Sequence, residues 1–387
     1  MTALSGGHLA VDFASGSVPA LIPFLSDKFH LGYALSALLL LAATVSSSLV
    51  QPLFGLWSDR RGALWLIPGG VLLAAIGIGG AAVSPTYPIV LLLVLAGGLG
   101  SAAFHPEGAK FAGYASGERR ASGMSYFNIG GNTGYALGAF ATGQLVVWLG
   151  LRGCLAAMLP VALVGVALVW LMPFLGRLRP SAAAVAARGP VGEDDLRAMT
   201  LLAGVIALRS IPWFTLLAFV PLWLVSLGHS KADGNRLLFL MLLAGAVGTL
   251  LLGPVADRFG LRRTLVVTQA AVAPLVLVFI YVGGVLGAAC LMLTGVCVVG
   301  TFGVTMVLSQ LYLPRHVGVA SGLSVGLSMG IGGIAAVVLG AVADAVDLRL
   351  ALTASALAPL LGVGLSLRLP KPAARRPRLA EPAPAVD

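Results

Sequence analysis

Long apolar runs alternate with short charged or Gly/Pro-rich stretches along the whole chain. A helix that crosses the hydrocarbon core of a bilayer needs about 20 apolar residues. The runs predict membrane helices near 4–25, 33–56, 63–83, 88–110, 121–147 and 152–175 in the first half. In the second half they predict helices near 198–227, 235–256, 263–283, 285–312, 317–343 and 350–368. No Lys or Arg precedes the first run and Asp12 interrupts it, so it is expected to be a retained helix rather than a cleaved signal.

The loops fix an orientation. With the N-terminus inside, 18 of the 24 Lys and Arg fall on the inner side, among them Arg60, Arg61, Arg119, Arg120, Arg258, Arg262 and Arg263. Only Lys28, Arg152, Lys231, Arg236 and Arg349 fall outside, and Arg209 lies within a span. Basic loops stay on the cytoplasmic side. An even number of spans with both termini cytoplasmic follows.

The chain repeats itself. Gly55-Leu56-Trp57-Ser58-Asp59-Arg60 returns as Gly253-Pro254-Val255-Ala256-Asp257-Arg258, Ala121–Ser125 returns as Ala320–Ser324, and Leu151-Arg152 returns as Leu348-Arg349. All three offsets are about 198 residues and span six helices. A parallel repeat of six helices implies two bundles related by an axis along the membrane normal. The expected organisation is an N-terminal bundle over 1–175, a cytoplasmic linker over 176–197, a C-terminal bundle over 198–369 and a disordered cytoplasmic tail over 370–387.

Composition removes the other classes. The 387 residues are 58% hydrophobic and 10% charged, with a mean hydropathy of +0.99. Soluble domains carry about 25% charged residues, so a cytosolic enzyme is excluded. The net charge of +10 is spread over short loops and does not mark a nucleic-acid surface. Cys154, Cys290 and Cys297 sit in apolar segments without disulfide or metal spacing, so neither a cofactor nor a metal is expected. No phosphate-binding loop of the G-x-x-x-x-G-K-[ST] type and no nucleophile elbow is present, which excludes ATP hydrolysis as the energy source.

Ionisable residues at membrane depth cost about 2.5–3.5 kcal/mol or more, so each is a candidate for function. Asp12 lies midway along the first span, with His8 four residues earlier on the same helical face. A carboxyl in an apolar span can exchange its proton nearer neutral pH than one in water. His105-Pro106-Glu107 in the fourth span joins two titratable groups to a helix-distorting proline. Asp12, His105 and Glu107 are therefore the proton-coupling candidates. The alternatives are a packing hydrogen bond for Asp12 and a structural Glu107–Lys110 pair.

Arg209 in the seventh span keeps its charge and suits a phosphonate or carboxylate by bidentate bonding. The alternative is a side chain snorkelling to the cytoplasmic face. Uncharged polar groups in a span want a partner or water. Asn128, Asn132 and Gln310 are thus candidates to bind substrate, with His105, Tyr126 and Trp213 beside them. Asp344 falls near the outer end of the eleventh span.

The segment Gly55-x-x-x-Asp59-Arg60-Arg61-Gly62, its copy at 253–263 and the two six-span halves resemble the major facilitator superfamily. His8-Leu9-Ala10-Val11-Asp12, Gln51-Pro52-Leu53-Phe54-Gly55, Phe104-His105-Pro106-Glu107 and Gly130-Gly131-Asn132 resemble, more narrowly, its fosmidomycin-resistance family. The resemblance implies an all-α membrane fold of twelve helices in two bundles related by pseudo-twofold symmetry. It implies a bacterial inner-membrane protein that exchanges protons for drugs by alternating access.

It further implies that Gly55, Asp59, Arg60, Gly253, Asp257 and Arg258 form loop contacts that set the inward/outward equilibrium. Gly130, Gly134 and Gly138, spaced by four, resemble the antiporter glycine motif and are expected to pack helices, although Tyr135 stands where a proline usually follows the central glycine. The function expected is a proton-coupled exporter of small anionic or amphiphilic compounds. The alternative is a proton symporter importing an organic anion such as a sugar acid or carboxylate. Partners are a small molecule, protons and the bilayer, with the chain a monomer and no nucleic acid bound.

Overall fold

A computed structural model of the chain describes residues 1–48, 50–61, 63–116, 120–178 and 193–370, without the side chains at 52, 56, 59–61, 120–125, 317, 318, 321 and 322. Among the described residues every regular element is a helix. The first half holds α1 (Thr2–Phe29), α2 (Tyr33–Ser48), α3 (Gln51–Arg61), α4 (Leu66–Val83), α5 (Tyr87–Ala115), α6 (Arg120–Leu149) and α7 (Gly153–Gly176). The second holds α8 (Leu196–Ser226), α9 (Lys231–Phe259), α10 (Leu261–Tyr281), α11 (Gly284–Gly300), α12 (Phe302–Tyr312), α13 (Val317–Ala345) and α14 (Leu348–Ser366). Hydrocarbon offers no partner to a free backbone N–H or C=O, so spanning segments become helices. Large apolar side chains such as Trp170 and Val285, 82% and 89% exposed, face outward where lipid would cover them.

Among the described residues, eleven segments are long and apolar enough to cross a membrane. One of them, Tyr126–Gly176, holds both α6 and α7, which are separated by a 3-10 turn over Gly150–Arg152, so the described residues offer twelve candidate passes. Gly150 supplies the turn with a φ of +63°, a conformation other residues adopt only with strain. Two expected single spans are each built from two helices, α2 with α3 and α11 with α12. The second break falls at Thr301. Thr301 Oγ1 donates to the Cys297 and Val298 carbonyls at 2.8 and 3.1 Å. Gly300 presses on Gly248, where an added Cβ would lie 2.7 Å from backbone carbon.

The two halves repeat one packing plan. The first long helix of each lies on the fifth span, α1 on α6 and α8 on α13, and the third on the fourth, α4 on α5 and α10 on α11. Across the halves α2 packs on α13 and α6 on α9. Between them, α7 ends at Gly176 and α8 begins at Leu196, two residues before the expected start. Most of the expected linker, 179–192, and the tail, 371–387, fall outside the described residues.

Asp195 caps α8 by accepting the Ala198 N–H at 2.9 Å. Asp194 anchors the same end to the loop before α13. Slight desolvation, which would raise its pKa, is outweighed by the Arg315 N–H at 2.9 Å and His316 Nδ1 at 2.5 Å, so its carboxyl is held below the usual carboxylate range.

The tightest seam is α1 on α6. An added Cβ at Gly134 would lie 2.1 Å from the Leu9 carbonyl oxygen, one at Gly138 2.0 Å from that of Phe13, and one at Gly130 2.4 Å from that of Ser5. The missing side chains let the backbones touch. Gly134→Val forces these backbones apart. It is expected to cost about 3 kcal/mol or more, read as a lower melting temperature and loss of the monodisperse peak in detergent.

The halves are clamped at the end that carries Asp344. Its Oδ1 accepts the Tyr33 N–H at 2.6 Å and its Oδ2 the Ala34 N–H at 3.0 Å, so a carboxylate from α13 caps the N-terminus of α2. Lys231 pairs with Asp27. The buried Asn235 amide donates to the Ala20 carbonyl at 3.1 Å. The exposed ion pair adds less than about 1 kcal/mol, and the cap carries more.

At the opposite end the two repeated loop motifs differ. Gly55 sits with its Cβ position 3.7 Å from Pro106, whereas at Gly253 an added Cβ would meet nothing within 4 Å. Asp257 is exposed, and Arg258 lies over the Phe259 ring at 5.6 Å instead of closing on a neighbouring helix. The side chains of Asp59 and Arg60 fall outside the described residues. Removing the α2 cap by Asp344→Asn is expected to shift the population toward states open at the Asp344 end by about fivefold, for a cap worth about 1 kcal/mol. Spin-label distances between the 30–32 and 227–230 loops measure it, and an unchanged distribution would refute the clamp.

Candidate functional site

Three ionisable side chains meet between α1 and α5. Spacing of four puts His8 above Asp12 on one face of α1, and the same spacing puts Ser101 beside His105 on α5. Asp12 Oδ2 lies 3.2 Å from His8 Nε2, and Asp12 Oδ1 lies 3.2 Å from His105 Nε2. The far nitrogens are also held. His8 Nδ1 is 2.9 Å from the Phe127 carbonyl of α6, and His105 Nδ1 is 2.7 Å from the Ser101 carbonyl. The His8 ring stacks on Phe127 with centroids 4.1 Å apart and meets His105 edge-on at 5.1 Å.

Space for this group is reserved by α6. A Cβ at Gly131 would lie 2.4 Å from His8 Nε2 and 2.7 Å from Asp12 Oδ2. Asp12 and His105 keep 18% and 26% side-chain exposure while His8 keeps 9%, so the group is reached from the Asp12–His105 side. The three donors fall within 4.8 Å of one another. Linear spacing showed no such cluster because it is assembled from two helices. Each ring nitrogen and each carboxylate oxygen in it lies within 3.2 Å of a protein partner, so protons can bridge the group.

The other candidates are placed separately. Glu107 is fully buried and turns away from His105 toward α3. Its Oε2 accepts from Ser58 and from Lys110 Nζ at 3.0 Å, and Lys110 also donates to Ser58 at 2.6 Å. Glu107 Oε1 is buried with no hydrogen-bond partner. Helix α5 runs unbroken through Pro106. Arg209 is 3% exposed, so it does not snorkel. Its Nη1 donates to the Val298 carbonyl at 2.5 Å, its guanidinium lies 5.9 Å from the Phe302 ring, and its Nε is buried without a partner. A cation there suits the C-terminal carbonyls of α11.

Tyr126 and Asn128 are exposed on α6, and Asn132 is half-buried one residue beyond Gly131. Trp213 on α8 and Gln310 on α12 are half-buried. Sequence reasoning named Asp12 and His105 separately as proton-coupling candidates; the structure brings these two together, whereas His105 and Glu107 do not meet. That reasoning passed over His8 and Gly131 as site residues. The spacing of His8 to Asp12 was visible, whereas nothing in the chain marks Gly131 as the floor of the group.

The comparisons follow from this geometry. The Major Facilitator Superfamily profile matches residues 4–337 and 202–386. An uncharacterized MFS-type transporter, YfnC, of Bacillus subtilis is 33% identical over 94% of this chain and 90% of its own. The fosmidomycin resistance protein of Escherichia coli is 29% identical over 95% and 92%. Among solved structures, a bacterial homolog to the human lysosomal transporter Spinster, inward-facing and occupied, overlays with a TM-score of 0.77 at 14% identity, covering 95% of both chains. A D-xylose-proton symporter overlays at 0.74 and 13%, covering 96% of both. These solved structures share the fold. The chain is a multi-pass membrane transporter, not an enzyme, and it belongs to the Major Facilitator Superfamily.

Proposed function

We propose that the protein is a proton-coupled exporter of small anionic or amphiphilic compounds of the fosmidomycin type, working in a bacterial inner membrane with both termini cytoplasmic. The observation that carries this reading is the carboxylate of Asp12 held between two imidazoles and still partly exposed. Such a group can take up and release protons within the first bundle. The relative that shares 29% identity and is called a fosmidomycin resistance protein supports the cargo class.

In this reading the bundles over 1–175 and 198–369 rock about the site, and the chain acts as a monomer. The Asp344 clamp closes the outer end. Asp12 and His105 exchange protons, with Glu107 as a buried second carboxylate toward α3. His105, Asn128, Asn132, Tyr126, Trp213 and Gln310 contact cargo. Arg209 is assigned to holding the break between α11 and α12 through Nη1 on the Val298 carbonyl, with its unpartnered Nε left for an anionic cargo. The Asp59 and Arg60 loop and its copy at Asp257 and Arg258 set the balance at the inner end. One charge moving through 100 mV supplies about 2.3 kcal/mol, enough for about fiftyfold accumulation.

A second reading, proton symport of an organic anion, is favoured by Tyr135 in place of the usual proline and by charge. A carboxylate flanked by two protonated imidazoles is net cationic and attracts an anion. The two readings separate in proteoliposomes with a pH dye inside. Fosmidomycin added outside is expected to alkalinise the lumen by exchange, and the signal is expected to vanish in Asp12→Asn. Acidification of the lumen would select symport instead. A signal that survives Asp12→Asn would remove Asp12 from coupling.

A further inference from the structure

We propose that the Asp12 group holds two exchangeable protons, the second carried through His8, so that two protons move per molecule of cargo. The inference rests on proton coupling at Asp12 and not on the direction of transport.

A carbonyl oxygen can only accept a hydrogen bond. His8 Nδ1 faces the Phe127 carbonyl at 2.9 Å and His105 Nδ1 faces the Ser101 carbonyl at 2.7 Å, so both Nδ1 atoms carry hydrogen. Only the two Nε2 atoms remain to be filled. Each lies 3.2 Å from a different oxygen of Asp12. Without a proton on such an edge, a nitrogen lone pair would face a carboxylate lone pair at 3.2 Å in a largely enclosed site, where repulsion is less screened than in water. Each edge therefore needs one proton. The count is two whether a given proton sits on nitrogen or on oxygen.

The surroundings leave this count to the three groups. On α6, Tyr135 is the other ionisable side chain close enough to Asp12 to feel its charge. On α5, Glu107 and Lys110 are engaged with each other and with Ser58 of α3. Helix α4 carries no ionisable residue. Tyr33 of α2 faces Phe219, and Cys154 of α7 donates to the Ile78 carbonyl. On α8, Arg209 is turned to Val298. The ionisable residues of α9 lie at its two ends, Lys231, Asp233 and Arg236 at one and Asp257 and Arg258 at the other.

His8 is not placed as a packing residue would be. Both of its nitrogens are engaged, its ring lies flat on Phe127, and Gly131 leaves it room that any side chain would fill. Emptying both edges changes the charge of the group from +1 to −1. One imidazole alone would change it by one unit.

The test is a gradient measurement on the full chain in proteoliposomes, with the membrane potential clamped at zero and a pH difference of one unit. Fosmidomycin is the probe. Two coupled protons hold about a hundredfold concentration ratio at zero net flux, and one proton about tenfold, since each tenfold step is the same free energy. Wild type is expected at a hundredfold and His8→Asn, whose amide can still donate to Phe127, at tenfold. His229→Asn, in an exposed loop, is expected to stay at a hundredfold. Tenfold in wild type, or a hundredfold kept in His8→Asn, would overturn the count.

A cargo-free measurement separates this inference from the choice of cargo. In chain labelled with 15N-histidine and placed in bilayers, His8 and His105 are expected to show protonated Nδ1 and Nε2 signals that titrate together. A His8 with bare Nδ1, or one that does not titrate with His105, overturns the count. A fosmidomycin ratio that ignores the pH difference, with this spectroscopic pattern intact, defeats the cargo reading and leaves the two-proton group standing.

Discussion

The contact of α1 with α6 governs what the rest of the molecule can do. Backbone meets backbone there at Gly134 and Gly138, with no room for a side chain. That depth of approach carries His8 onto Phe127 and brings Asp12 under Gly131. Only then can His105 of α5 reach the second carboxylate oxygen. A looser seam would leave His8 Nδ1 without the Phe127 carbonyl and would admit other groups beside Asp12. In a bilayer, where burial of apolar surface does not drive helices together, such close packing of small residues is itself the adhesive.

The clamp at the Asp344 end complements this rigidity. Within the first half, α1 and α6 are fixed by shape. Between the halves, the strongest polar tie is a carboxylate on two backbone N–H groups, reinforced by an exposed ion pair and one buried amide. Ties of this kind are worth about 1 kcal/mol each, so they bias a state without locking it. A transporter that must alternate needs that inequality. Its bundles hold their shape through many close contacts, while the junction between them rests on a few that can break.

Much of this was legible in the chain. The twelve runs, the charged loops and the repeat near 198 residues fixed the fold class, because each rests on a composition that only a bilayer tolerates. Asp12, His105 and the glycine ladder at 130, 134 and 138 were legible for the same reason, each being costly or conspicuous in an apolar span. What stayed hidden depended on helix rotation. Nothing linear says that Glu107 turns toward Ser58 while His105 two residues earlier turns toward α1, or that Arg209 faces the Val298 carbonyl. The break at Thr301 was hidden too, since it falls inside a continuous apolar run.

The pseudo-symmetry gives the sharpest contrast between the halves. An offset of 198 carries Asp12 onto Ser210, next to Arg209, and carries His105 onto Gly303, next to Phe302. The same junction, first span against fourth, is thus occupied in both halves by a buried polar contact. In the first half it is a carboxylate between two imidazoles, groups whose charge can change. In the second it is a guanidinium bound to a backbone carbonyl and lying over Phe302, a group whose charge does not change. Two copies of one architecture therefore carry different chemistry at the same place. In the proposed proton-coupled cycle, the first junction would gain and lose protons while the second stays charged and ties α8 to α11, which would confine the moving charge to the N-terminal half.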